Sequence, residues 1–167
     1  MTHRGMPSAR GLVLVALALA WSGSLAAGNR PDFSGRWALD AARSVGLSPS
    51  QPRDVVLAIE QTADRLVVHR TAAGKSATTT MLFDGTEVVE REKGITVSKR
   101  SRWAAGALVS VGTQTRSMLG ASIVLSFTEA VRLEADGTMS VKSTMTGGGK
   151  ERSRTSIYRR APNMPPR

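Results

Sequence analysis

Ile123-Val124-Leu125-Ser126-Phe127-Thr128-Glu129-Ala130-Val131-Arg132-Leu133, followed by Asp136-Gly137 and then Met139-Ser140-Val141-Lys142, is the stretch on which the fold turns. Ile123, Leu125, Phe127, Val131 and Leu133 share one parity; Ser126, Thr128 and Arg132 share the other. Met139 and Val141 likewise oppose Ser140 and Lys142. Successive strand side chains point to opposite faces, so this alternation makes one face apolar and the other wet. Asp136-Gly137 between the two segments predicts a two-residue type I′ turn, which needs positive φ at both positions. The unit is an antiparallel hairpin covering a core on one side.

The same rhythm extends outward in both directions. From Val55 onward, runs rich in Val, Thr, Ile and Leu alternate with turn signals. These fall at Thr62-Ala63-Asp64, Ala73-Gly74-Lys75, Asp84-Gly85, Lys93-Gly94, Ala105-Gly106, Leu119-Gly120, Asp136-Gly137 and Gly147-Gly148-Gly149. Asp84-Gly85 and Asp136-Gly137 are the sharpest of them. A spacing of about 9–14 residues is that of successive hairpins in a sandwich or barrel. No segment beyond the first 26 residues shows a helical period. The predicted fold is all-β, an antiparallel up-and-down meander of about 8–10 strands, and closure into a barrel removes its exposed edges. Upstream, Phe33 to Leu39 reads as a first strand. Ala41 to Asp54 carries Gly46, Pro49 and Pro52 and reads as a long loop, with room for one helical turn at Ala41-Ala42-Arg43.

Residues 1–26 follow the secretory pattern: Arg4 and Arg10, an apolar run from Leu12 to Trp21, then Ser24-Leu25-Ala26 as a small-x-small cleavage site. The run is shorter than the roughly 20 residues that span a bilayer. The expectation is a cleaved signal peptide, a single domain over 27–160, a disordered tail over 161–167, and a periplasmic or secreted destination with no transmembrane segment in the mature chain. Cysteine is absent, so hydrophobic burial and the strand ladder must hold the domain in an oxidising compartment where disulfides were available.

The formal charge is +10. A basic surface favours anionic partners, and in an exported protein nucleic acid is not among them; anionic envelope components are. Arg100 and Arg102 share a parity, as do Lys150, Arg152 and Arg154. Facing outward, such rows form a stripe for anionic polymers or lipid head groups; facing inward, they grip a ligand carboxylate. Catalysis finds little support. His69 is the one histidine beyond the leader, and with no cysteine it makes no usual zinc or copper site. No Gly-x-Ser-x-Gly elbow accompanies it. Asp84, Glu87, Glu90 and Glu92 lack the spacing of a calcium loop, and Thr146 to Lys150 lacks that of a phosphate loop. No catalytic residue, metal or cofactor is expected.

The segment Asp32-Phe33-Ser34-Gly35-Arg36-Trp37-Ala38-Leu39-Asp40 resembles the opening of lipocalins and related calycin barrels, and more closely that of exported bacterial lipocalin-like proteins beginning Asp-Phe-Ser-Gly-x-Trp-x-Leu-Asp. The strand Val56 to Gln61, Trp103 before Gly106, the hairpin around Asp136-Gly137 and the closing Ile157-Tyr158 extend the resemblance over most of the mature chain. It implies a lipocalin-like barrel in which Gly35 and Trp37 form the structural motif. Trp37 would plug one end and an arginine of the last strand would stack across it, Arg159 in that role or its neighbour Arg160. The function it implies is binding of a small, largely apolar ligand, with or without an anionic head, inside the barrel.

Overall fold

The computed structural model describes residues 30–118 and 121–162. The expected leader, nearly all of the expected tail and the turn at Leu119-Gly120 lie outside these residues. Ala161, at the tail's start, still donates its N–H to the Arg36 carbonyl at 2.9 Å.

Ten strands fill the described chain: β1 (Gly35–Val45), β2 (Val56–Gln61), β3 (Arg65–Ala72), β4 (Lys75–Leu82), β5 (Asp84–Glu92), β6 (Ile95–Ala104), β7 (Ala107–Met118), β8 (Ala121–Leu133), β9 (Met139–Gly147) and β10 (Lys150–Arg160). They form one sheet in the order β4-β3-β2-β1-β10-β9-β8-β7-β6-β5. All ladders are antiparallel, and β1 pairs with β10 to bring the first and last strands together. This is the predicted meander rolled into a nearly closed barrel.

Closure is incomplete at one seam. β4 and β5 follow each other in sequence but share no ladder. A single residue, Phe83, separates them, and its ring is buried in the core, so no hairpin forms there. Side chains cross the seam instead. The Glu90 carboxylate on β5 accepts hydrogen bonds from the Thr79 hydroxyl at 2.7 and 2.8 Å and from the Thr80 N–H at 3.0 Å, both on β4. Lys99 on β6 pairs with Glu90 at 3.2 Å and donates to Thr79.

The turns correct one expectation. The type I′ signature, positive φ at two successive residues, falls at Ala73-Gly74, Lys93-Gly94, Ala105-Gly106 and Gly148-Gly149. At Asp84-Gly85 and Asp136-Gly137 only the glycine is positive. Both belong to an Asp-Gly-Thr triplet whose aspartate accepts from the N–H and the hydroxyl of the threonine two residues on. The side-chain bonds hold each aspartate out of the left-handed region. At Asp136 the backbone turn forms one residue earlier, with the Gly137 N–H donating to the Glu134 carbonyl at 2.9 Å and the Glu134 N–H to the Thr138 carbonyl at 2.8 Å. Asp84-Gly85 falls within β5, at a shift of register against β6. A second correction concerns β1, which runs on to Val45 with no helical turn at Ala41-Ala42-Arg43. Its register against β10 shifts between Asp40 and Val45, where Ser44 donates to the Asp40 carbonyl at 2.7 Å and accepts from the Ile157 N–H at 2.9 Å.

The core gathers at the end of the barrel where β1 begins. Trp37 and Phe33 are fully buried, and the Trp37 indole N–H donates to the Phe33 carbonyl at 2.8 Å. Gln61 holds the segment ahead of β1, accepting from the Phe33 N–H and donating to the Pro31 carbonyl, each at 3.0 Å. Trp103 stacks on Phe33 with centroids 5.8 Å apart and meets Phe83 edge-on at 5.4 Å.

Candidate functional site

The plug explains why the first strand opens with Gly-x-Trp. Gly35 sits at φ +115°, and a Cβ there would stand 2.8 Å from the Arg160 guanidinium. Only glycine accepts that backbone angle without strain, and only glycine leaves room for the arginine. The Arg160 guanidinium lies 4.4 Å from the centroid of the Trp37 ring and donates to the Ser34 carbonyl at 2.6 Å. The arginine over the plug is therefore Arg160 and not Arg159. Trp37 and Arg160 are register partners, whereas Arg159 lies opposite Ala38, has the other parity and pairs outside with Asp40 at 3.2 Å.

Beyond the plug, the inward face of the strands encloses a cavity of about 420 Å³, within the range of small-molecule sites, roughly 300–1,000 Å³. Its wall has two chemistries. Toward Trp37 it is apolar, with Leu57, Ile59, Leu66, Met81, Val131 and Met139. Toward the other end it carries Arg70, Arg154, Glu129 and Gln51, the last reaching in from the β1–β2 loop. Gly46, at φ +73°, lays that loop against β10: a Cβ there would meet the Ser153 carbonyl oxygen at 2.6 Å and the Arg154 Cα at 3.2 Å.

Register places Glu129 and Arg154 in one belt with three serines, whereas Arg70 lies across from Leu57 and Ala77. Ser101 on β6 pairs with Ser110 on β7, Ser110 with Glu129 on β8, Glu129 with Ser143 on β9, and Ser143 with Arg154 on β10. Ser101, Ser110 and Ser143 are buried, and the first two bond to each other at 2.7 Å. Arg70, Arg154 and Glu129 enter no ion pair within 4.0 Å among the described residues. Burial pushes the Glu129 carboxyl up from its ordinary value, against the pull of Arg154 and Lys99. Burial also raises the Tyr158 phenol, which borders the same belt, with Arg154 and Arg70 opposing and Glu129 assisting.

The five basic residues singled out from the sequence do not form one face. Arg100 and Arg102 are exposed, while their neighbours Lys99 and Ser101 are buried, so the two arginines point outward. There they lie across from Glu87 and Asp84 of β5, with no ion pair to either among the described residues. Lys150, Arg152 and Arg154 share the parity of Ser156 and Tyr158, which line the cavity. Arg154 lines it too; Lys150 and Arg152 continue that row toward the β9–β10 turn. His69 is exposed and bonded to Thr78 at 2.9 Å.

No family model matches the chain, and no curated protein does. Solved structures do share its fold. One is a REP1-NXSQ fatty acid transporter, with a TM-score of 0.53 and 15% identity over 77% of this chain and 95% of the other. Human cRBP IV matches at TM-score 0.52 and 18% identity, covering 78% and 99%. A secretory abundant heat soluble protein from Ramazzottius varieornatus matches at 0.55 and 9% identity, covering 77% and 95%. At such identities the likeness is one of fold.

Proposed function

We propose that this protein is an exported binder of a small amphiphile, taken up by the barrel with its apolar tail toward Trp37 and an anionic head at Arg154 and Arg70. One observation carries the reading: a cavity of about 420 Å³, apolar toward the plugged end, with two guanidiniums at the other that no carboxylate pairs among the described residues. Arg70 is half-buried, and Arg154, exposed at that end, also lines the cavity. A half-buried cation without a partner is costly, and an anionic ligand head placed between the two removes that cost. Arginine suits the task because its planar fork binds carboxylate or phosphate with two parallel hydrogen bonds. The fatty acid transporter among the structures of the same fold supports a ligand of this class. Export rests on residues 1–26.

The test is displacement of a fluorescent anionic amphiphile by alkyl carboxylates of 8 to 18 carbons. Expected is micromolar or tighter binding that weakens at least tenfold in Arg154→Ala. Failure of every chain length to displace the probe, or an undiminished affinity in Arg154→Ala, refutes the assignment. Recovery of a mature chain beginning at Ala27 from the periplasm checks the export.

A further inference from the structure

Glu129 is the group this reading leaves unexplained. It stands on the inner face of β8, among Ile123, Leu125, Phe127, Val131 and Leu133 of the same parity, and it lines the cavity. In the polar belt its two cross-strand neighbours are serines. Ser110 is already engaged with Ser101 and lies 3.8 Å from the Met81 sulfur. No hydrogen bond or ion pair reaches the Glu129 carboxyl among the described residues; the ion pairs there lie elsewhere.

Its place along the belt matters. Arg154 is two strands away, with Ser143 between them, so the two backbones lie about 10 Å apart. Side chains converging from both strands put the Glu129 carboxyl a few bonds from a head group held by Arg154. One register step further toward the plug, Val131 and Val141 begin the apolar wall. Glu129 thus marks the junction of head and tail.

We infer that Glu129 selects amphiphiles whose anionic head carries a hydrogen-bond donor a few bonds along, a hydroxyl or an amide N–H, over plain alkyl carboxylates. The inference rests on the amphiphile reading. A plain methylene chain displaces the water that solvates Glu129 and offers nothing in return, and an acceptor left unmade in a desolvated site is costly. A donor at that position removes the cost, the asymmetry by which sites built around a polar group reject analogues lacking it. A cationic head is disfavoured, because Arg154 on β10, Arg70 on β3 and Lys99 on β6 all bear on this region. The upward shift of the carboxyl agrees with a group that lacks a partner in the free protein.

The experiment compares tetradecanoate with 3-hydroxytetradecanoate at pH 7, by displacement of the same fluorescent probe, in the parent, Glu129→Gln and Glu129→Leu. Expected is a tenfold or larger preference for the hydroxy acid in the parent. Glu129→Gln keeps a carbonyl acceptor and the same size, and retains a preference of at least threefold; in Glu129→Leu the two affinities fall within twofold. Equal affinities in the parent, or a preference that survives in Glu129→Leu, overturn the inference and leave the amphiphile reading standing. If neither acid displaces the probe from the parent, both readings fall together. Thermal unfolding of both variants checks that each is folded; should Glu129→Leu not be, Glu129→Ala takes its place, with the two affinities again expected within twofold and a surviving preference overturning the inference.

Discussion

Replacing Arg160 with methionine tests the plug, because methionine keeps the length of the side chain and removes the guanidinium. Two interactions are lost. The guanidinium stands 4.4 Å over the ring of Trp37, and since Arg160 is itself exposed this contact belongs at the low end of its range, about 0.5–1 kcal/mol. Its bond to the Ser34 carbonyl, 2.6 Å long, is charge-assisted and solvent-facing, about 1–1.5 kcal/mol. Together they make about 2 kcal/mol, which for a domain of this size lowers Tm by about 6–9 °C. Arg159→Met is the internal control. Arg159 pairs only with Asp40, at 3.2 Å, and its side chain is 67% exposed. Solvent screening leaves such a pair about 0–1 kcal/mol, so Tm should move by less than about 3 °C. Circular dichroism during thermal unfolding reads both. Equal shifts for the two arginines, or an Arg160→Met protein within 2 °C of the parent, would refute the assignment of Arg160 to the plug.

Three other perturbations have defined outcomes. The Glu129 carboxyl titrates higher in the folded state than its ordinary 4.5, so the folded chain favours the neutral form, and stability declines as pH rises from 4.5 through the folded value. Glu129→Gln should therefore be more stable than the parent at pH 8 and equal to it at pH 4; urea unfolding showing the same difference at both would contradict the burial of that group. Glu90 behaves oppositely: burial raises its carboxyl, but the bonds from Thr79, Thr80 and Lys99 together outweigh burial and hold it below 4.5, so its contribution is present above that value and lost as pH falls through the lowered one. Lys99→Met removes the cation from the seam, and the Thr80 amide should exchange with solvent at least tenfold faster; unchanged protection would show that the seam does not depend on the ion pair. Gly46→Ala adds a methyl 2.6 Å from the Ser153 carbonyl at φ +73° and should cost about 2–3 kcal/mol, whereas Gly74→Ala, at φ +71° with open space around it, should cost about 1 kcal/mol. Comparable losses in these two variants would mean that backbone angle, and not contact with β10, makes glycine necessary at 46.

Much of the fold was legible because period-two alternation is a local property. The meander, the absence of a helical period and the hairpin β8–β9 all follow from which side chains avoid water. The turns were misjudged for a reason equally local. Asp-Gly is a strong type I′ signal when the aspartate side chain is idle, but threonine two residues on offers it both an N–H and a hydroxyl, and Asp84 and Asp136 take them. The working type I′ turns begin with Ala73, Lys93, Ala105 and Gly148, residues without a competing side-chain bond. The choice between Arg159 and Arg160 was out of reach because it depends on the parity of β10 relative to β1, which only register supplies. The seam was hidden as well. A turn signal between β4 and β5 looked like a hairpin, and nothing local tells a ladder from two strands bridged by Glu90 and Lys99.

The candidate site was hidden differently, since its signal stood in plain view as an exception to the pattern that revealed the fold. Along β8 the apolar parity runs Ile123, Leu125, Phe127, then Glu129, then Val131 and Leu133. Along β6, Lys99 shares the parity of Val97, Ser101 and Trp103; along β10, Arg154 shares that of Ser156 and Tyr158. A charge on the core face of a strand is expensive unless it is paired or left next to space that a ligand or water fills. Lys99 is the paired case, held by Glu90 at 3.2 Å. Glu129 and Arg154 are, among the described residues, the unpaired case, and both border the cavity. Charges that break an apolar parity thus divide into those that fasten the barrel and those that face its contents. Ion pairing separates the two, and among the described residues it leaves the cavity with the Arg154 guanidinium, the unpartnered Glu129 carboxyl two strands away and an apolar wall toward Trp37.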